Sequence, residues 1–204
     1  MTSGAISIVG AGGHAKVVAA TIRAAGHEVA AVYDDNVSLW GSLLLGTEIR
    51  GPVSRVSGRA VIAIGDNRAR QAIASELGAS WVSVCHPSAT VHESAEIGAG
   101  TVIFAGAVVQ PDTVIGAHGI INTAASVDHD CRLRDFVHIA PGVRLCGGVS
   151  VKEGALVGVG ASVCPSVSIG SWAVIGAGAV CVSDVPDAVT VTGVPACIAG
   201  PSNG

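Results

Sequence analysis

The sequence predicts two unlike units in tandem: an α/β domain of Rossmann type, then a parallel β-helix built from hexapeptide repeats. Three observations carry this. From position 91 to position 181 an aliphatic residue, or finally a cysteine, recurs at every sixth place, sixteen times without an insertion. Ahead of that series, short apolar runs alternate with helical stretches, and the first run ends in Gly10-Ala11-Gly12-Gly13-His14-Ala15. Half of the chain is apolar while aromatic residues make up only 3%. A core with so few rings is filled by Val, Ile, Ala and Leu, which suits a narrow solenoid.

A period of six matches neither the helix repeat of about 3.6 nor the strand alternation of about 2. It matches coils in which three hexads make one triangular turn. An ordinary valine-rich β-sandwich gives no reason for such a phase. Coils stack roughly 4.8 Å apart, so residues eighteen apart lie above one another. Val91, Val109, Val127, Leu145 and Val163 then form one interior ladder, Ile97, Ile115, Leu133, Val151 and Ile169 a second, and Ile103, Ile121, Ile139, Val157 and Ile175 a third. Four places after each comes a small or β-branched residue, such as Ala107, Thr113, Ala125, Cys131 or Ala161, which lets the chain turn the corner. The hand of the coil does not follow from this pattern.

The elements ahead of the repeat read in order. Residues 5–9 form a buried strand, the glycine loop follows, and a helix runs to about residue 25. Residues 28–33 form a second strand, ending at Asp34-Asp35-Asn36. Residues 37–56 are irregular, with a short helix or strand near 43–49. Residues 60–64 form a third strand, ending at Gly65-Asp66-Asn67, and a helix follows over about 68–77. Residues 81–85 read as a last strand. His86-Pro87 marks the boundary, giving a Rossmann-like α/β domain over 1–86 and the β-helix over 87–204. Strands alternating with helices imply a small parallel sheet. The tail from 187 leaves the hexad phase, holds Pro195 and Pro201, and is expected to pack briefly and then fray.

Charge and cysteine usage exclude several classes. The net charge is −4 and the basic residues are scattered, so nucleic acid and anionic membrane surfaces are poor partners. The six cysteines make no C-x-x-C pair, and Cys131 and Cys181 fall at repeat positions. They read as reduced packing residues of a cytoplasmic protein rather than disulfides or a zinc site. No signal peptide or bilayer-spanning stretch is expected.

The glycine loop matches G-x-G-x-x-[GA] between a strand and a helix, with Asp34 two dozen residues on. This is the dinucleotide fingerprint. The domain is about half of a full Rossmann sheet, too small for both halves of NAD. A mononucleotide with phosphates at the helix N-terminus fits better. The alternative is that the glycines merely make a tight turn. Gly65, at a second strand end, falls on the same edge of the sheet.

The chemistry of the β-helix gathers at Asn122, Asp128, His129, Asp130 and His138. An imidazole with a carboxylate beside it is a candidate general base near neutral pH. Strand alternation separates adjacent side chains, so adjacency alone does not place Asp130 on His129. One coil after His129 comes Gly147. A residue without a side chain stacked over the base leaves room for a reacting group and exposes an N–H able to stabilise a tetrahedral oxyanion. His138, half a coil on, lines the same crevice if a neighbouring subunit supplies the facing wall. Zinc of the hexapeptide carbonic anhydrase type needs three histidines, two of them four residues apart. His92, His118, His129 and His138 contain no such pair, so no metal is expected.

With these residues in view, nearly the whole chain resembles the bacterial nucleotide-sugar N-acetyltransferases that act on 4-amino-4,6-dideoxy sugars. The segments that carry the resemblance are Gly10 to Ala15, Ala63-Ile64-Gly65-Asp66-Asn67-Arg68, Ile121-Asn122-Thr123, Val127-Asp128-His129-Asp130-Cys131 and Gly193-Val194-Pro195-Ala196. The resemblance implies a left-handed β-helix, a homotrimer with active sites between subunits, and acetyl-CoA as co-substrate. It implies His129 as base, Asp130 raising its basicity, Asn122 positioning the amine, and the Gly147 N–H facing the oxyanion. It implies that His138, Val159, Ala177 and Gly178 meet coenzyme A. Gly12, Gly13, His14, Asp34, Asp35 and Gly65 would hold the nucleotide sugar. One departure stands out: related chains often place Lys or Arg after G-V-P-A, where this one has Cys197. Three rival functions remain at this stage. One is O-acetylation of a sugar hydroxyl of the sialic-acid type, the second is a non-catalytic trimer that senses a nucleotide, and the third is an NAD-dependent enzyme with nicotinamide bound by residues 1–85.

Overall fold

The structure, a computed structural model, describes residues 4–202. The N-terminal domain runs β1 (Ile6–Val9), α1 (Gly13–Ala24), β2 (Val29–Tyr33), β3 (Leu43–Leu44), β4 (Thr47–Glu48), β5 (Arg59–Ile62), α2 (Asn67–Glu76) and β6 (Ser80–Trp81). Its sheet is parallel in the order β2-β1-β5-β6, and β3 and β4 form a small antiparallel hairpin. Gly10 is required at the end of β1. Its φ is 101°, and a Cβ there would sit 2.9 Å from Ile64 Cγ1 and 3.1 Å from the Ala63 carbonyl. The start of α2 is capped by Asp66, whose Oδ1 accepts from the Ala69 N–H at 2.7 Å.

The rest of the chain is a left-handed parallel β-helix of about seven turns. Two-residue strands stack at eighteen-residue intervals on three faces. The first face includes Val102–Ile103, Ile120–Ile121, His138–Ile139, Leu156–Val157 and Val174–Ile175. The second includes Val108–Val109, Ser126–Val127 and Arg144–Leu145, and the third Val114–Ile115, Arg132–Leu133 and Ser150–Val151. The three expected interior ladders are those observed, and Val127, Ile139, Val157 and Ile169 are fully buried. The corners have a register of their own. From residue 100 to residue 178 every sixth residue has positive φ, including Asp112, His118, Ala124, Asp130, Phe136, Ser166 and Trp172 where no glycine stands. This left-handed residue turns the chain, and the small or β-branched residue that follows it fills the inside of the corner.

The two units share an apolar layer. On the first face the outward residues Val84, Val102 and Ile120 are buried, and they join Phe104 in a cluster with Ile6, Ile8, Val18 and Ile22 of the N-terminal domain. Two expectations are revised. The strand expected over 81–85 is two strands: β6 pairs with β5, whereas Val84–Cys85 pairs with Val102–Ile103 and starts the first face. The tail does not fray over its described part. Val189–Thr192 pairs with Val174–Ile175, and Cys197–Pro201 returns antiparallel to it, so the chain caps its own first face.

Candidate active site

His129 sits at the corner between the second and third faces. Val127 points inward, and Asp128 Oδ1 accepts the His129 N–H at 2.8 Å. Asp130 occupies the left-handed corner position with φ 60°. That turn cancels the alternation of an extended strand and brings its carboxylate back, with Oδ2 2.8 Å from His129 Nδ1. A carboxylate only accepts, so Nδ1 carries the proton and Nε2 presents the lone pair. The hydrogen bond to Asp130 raises the imidazole above its ordinary pKa of 6.5; desolvation opposes it, and the charges of Asp128 and Asp130 add to it.

Gly147 lies one coil beyond, against the free edge of the ring. A Cβ there would be 2.5 Å from both Cε1 and Nε2 of His129. The coil is held in place by the Gly148 N–H, which donates to the His129 carbonyl at 2.9 Å. Among the described residues nothing accepts from the Gly147 N–H. The open depression here has a volume of about 520 Å³ and is also lined by Cys146, Pro165 and Ser166. Those three were not anticipated, although the register that gives Gly147 also gives Pro165, two coils from His129.

A second cluster forms where the α/β domain meets the first face. Asn122 Nδ2 donates to His138 Nε2 at 3.1 Å, and Asn122 Oδ1 accepts the Thr123 N–H at 2.8 Å. His138 Nδ1 points at the Gly65 carbonyl, 3.3 Å away. A carbonyl accepts, so His138 is a neutral imidazole with both nitrogens engaged. Its ring lies 6.3 Å from that of His14, which packs edge-on to Phe104 at 5.4 Å. Burial, and then the positive charge of Arg70, push both His14 and His138 down to about 4. His14 Nε2 is buried and has no hydrogen-bond partner among the described residues. The structure therefore groups Asn122 and His138 with Gly65 and His14, on a different edge of the coil from His129. Both ring nitrogens of His138 are thus engaged within the chain in this arrangement.

The loops at the C-terminal edge of the α/β sheet hold the other anticipated residues. Gly12, Gly13 and Gly65 differ from Gly10: none has positive φ, and a Cβ on any of them would meet nothing within 4 Å. The fold itself does not require glycine there. Asp34 is already engaged, with Oδ2 accepting from the Ala11 N–H at 2.7 Å and Oδ1 from the Asn36 N–H at 2.8 Å. Asp35 Oδ1 accepts the Val53 N–H at 3.0 Å. Both carboxylates shape the loops and keep spare lone pairs. Val159, Ala177 and Gly178 stack at the corner between the first and second faces. The Gly178 N–H donates to the Val159 carbonyl at 2.8 Å, and Val159 is exposed. Among the described residues no group of three His, Cys, Asp or Glu is placed to hold a metal ion. No helix among them is long and apolar enough to cross a membrane.

Comparison with known proteins points the same way. The family described as the PglD N-terminal domain matches residues 5–77. A histidine-to-asparagine mutant of perosamine N-acetyltransferase from Caulobacter crescentus, solved in complex with CoA and GDP-perosamine, is 43% identical. That match covers 98% of each chain with a TM-score of 0.91. The acetyltransferase domain of PglB from Neisseria gonorrhoeae, in complex with acetyl coenzyme A, is 39% identical over 97% of this chain and 100% of that one, with a TM-score of 0.88. Among curated proteins, UDP-N-acetylbacillosamine N-acetyltransferase of Bacillus subtilis is 44% identical over 112 residues, which are 49% of this chain and 51% of that protein. The chain spans about half the length of the curated relatives it matches.

Proposed function

Because the chain belongs to the hexapeptide-repeat nucleotide-sugar N-acetyltransferases, we propose that it transfers the acetyl group of acetyl-CoA to the 4-amino group of a nucleotide-linked 4-amino-4,6-dideoxy sugar. The observation that carries this reading is the pairing of His129 with Gly147: a base whose lone pair faces a backbone with room beside it. The neutral amine attacks the thioester carbonyl. His129 Nε2 takes the amine proton, and Asp130 stabilises the imidazolium that forms. The tetrahedral oxyanion is met by the Gly147 N–H. Collapse breaks the carbon–sulfur bond, and the imidazolium returns the proton to the thiolate. The products are the N-acetyl sugar and coenzyme A. The histidine-to-asparagine mutant of the Caulobacter relative, like the unmutated protein, is in complex with both CoA and GDP-perosamine, so that substitution leaves both ligands able to bind there.

The nucleotide is assigned to the edge formed by Gly12, Gly13, His14 and Gly65. Glycines that the fold does not require leave space for a diphosphate to approach backbone N–H groups. Asp34 and Asp35 hold these loops and offer their remaining lone pairs to ribose or base. Coenzyme A is assigned to the depression at Gly147 and to the Val159, Ala177 and Gly178 corner. His129 and the nucleotide edge lie on different edges of one coil, so a homotrimer in which a neighbouring corner faces this edge completes the site. Release of free coenzyme A with GDP- and UDP-linked 4-amino sugars, run beside sialic acid, tests the reading. Release with an amino sugar and little with sialic acid is expected. Release with sialic acid alone would move the assignment to O-acetylation, and none with any acceptor would leave a nucleotide-sensing trimer.

A further inference from the structure

Arg70 is the largest fully buried side chain among the described residues, at 1% exposure. It leaves the second turn of α2 and enters the seam between the domains. Its Nε donates to the His118 carbonyl at 2.8 Å, and Nη2 donates to the Phe136 carbonyl at 2.8 Å and to Asn67 Oδ1 at 2.7 Å. Nη1 reaches the carbonyls of Ile64 at 3.0 Å and Gly65 at 3.3 Å. One guanidinium therefore holds two coils of the β-helix and the Gly65 loop together, with carbonyl and amide oxygens rather than a carboxylate as acceptors. Asn67 adds to the seam through Nδ2, which donates to the Gly154 carbonyl at 3.0 Å.

A buried cation without a paired anion is costly, and a close-packed apolar side chain would join two domains at less cost. Arg70 does something an apolar residue cannot. Gly65 lacks positive φ and a Cβ there would meet nothing within 4 Å, so the loop shape is set by what its carbonyls bind. Those partners are Arg70 and His138. We infer that Arg70 is a positioning residue for the nucleotide half of the site: it locks the Gly65 loop onto the coils and so sets affinity for the nucleotide sugar rather than the rate of acetyl transfer. This rests on the acetyltransferase reading above.

The charges around the seam supply a second readout. Arg70 faces His14 of α1, His118 and His138 of the β-helix, and Asp66 of its own loop, while Asp135 faces His118. Burial first, and the cation second, keep His14 and His138 neutral through the physiological range. Without the cation only the second contribution is lost, so their titration rises while burial still holds it below 6.5.

The experiment compares Arg70→Lys and Arg70→Met with the wild-type chain. Circular dichroism and melting follow the fold, calorimetry follows GDP, UDP and CoA, and steady-state kinetics follow acetyl transfer. Lysine keeps the charge but cannot span both sides of the seam. We expect Arg70→Lys to weaken GDP or UDP binding and to raise the KM for nucleotide sugar about tenfold or more, with CoA affinity and kcat within about threefold of wild type. In Arg70→Met the titration of His14 and His138, followed by NMR, should move up from the wild-type position while burial still holds it below 6.5. Parallel loss of kcat and every affinity in step with the folded fraction overturns the inference, as does unchanged nucleotide affinity in Arg70→Lys. A wild type that binds neither nucleotide also overturns it. A wild type that binds a nucleotide but transfers no acetyl group sinks the activity reading, and the calorimetric arm still decides the role of Arg70. If Arg70→Met does not fold, Arg70→Lys alone gives the decision.

Discussion

The carboxylate of Asp130 reaches His129 because Asp130 takes the left-handed corner position, with φ 60°. The sequence places the two side by side but not in contact, since contact depends on a backbone state that a hexad count does not encode. Gly147 was legible, because a fixed eighteen-residue coil puts it over His129 whatever the local torsions. Two predictions follow at this scale. His129 is held above its ordinary pKa mainly by Asp130, and only the neutral ring accepts a proton. The rate kcat/KM should therefore rise with pH through a midpoint above about 6.5. Asp130→Asn should move that midpoint down and lower the plateau, because the ring becomes a weaker base. A pH–rate series on coenzyme A release checks this, and the shift separates His129 from titration of the sugar amine. In Gly147→Ala the new Cβ would meet the ring at 2.5 Å. The ring is the far end of a side chain and can swing aside, so stability should change by only about 0.5 kcal/mol while turnover falls about a hundredfold.

At the scale of elements, the hexads recovered the three faces and their interior ladders, because one aliphatic residue per hexad has only one place to go. The small or β-branched residue that fills each corner was legible, but the left-handed residue before it was not, since Asp112, Ala124, Phe136 and Trp172 stand where glycine would have signalled it. The start of the β-helix was blurred for a different reason. Val84–Cys85 is apolar like the strand before it, and only pairing with Val102–Ile103 assigns it to the first face. Interior positions should respond as close-packed core. Ile139 is fully buried, and Ile139→Ala should destabilise by about 2–5 kcal/mol, read as a lower urea midpoint. A change under about 0.5 kcal/mol would mean that the coil interior relaxes around the loss.

At the scale of the whole molecule, the seam between the domains was the least legible part. Arg70 looks like an ordinary helix residue in sequence, and its partners lie 48 and 66 residues away. The seam makes stability depend on acid. His14 and His138 have folded pKa values of about 4 against 6.5 in the ordinary state, so between these values the unfolded chain binds more protons. Stability should be full above about pH 6.5 and fall as pH drops toward 4, by up to about 1.4 kcal/mol per unit for each residue. Denaturant titrations across that range should show the slope, and His138→Gln should flatten it. The proposed sharing of each site between subunits makes its own prediction. Coexpressing His129→Ala with Gly12→Trp, which fills the nucleotide edge, should restore roughly a quarter of wild-type activity by random assembly of trimers. No recovery would place each site within one chain.

The most direct test of the central claim is single-turnover acetyl transfer to the preferred nucleotide-linked amino sugar by wild type and His129→Ala, with both ligand affinities measured on the same samples. If His129 is the base, the chemical step falls by about a hundredfold or more while CoA and nucleotide-sugar binding hold. A variant that transfers acetyl at the wild-type rate, or that loses rate only because a ligand no longer binds, would contradict it.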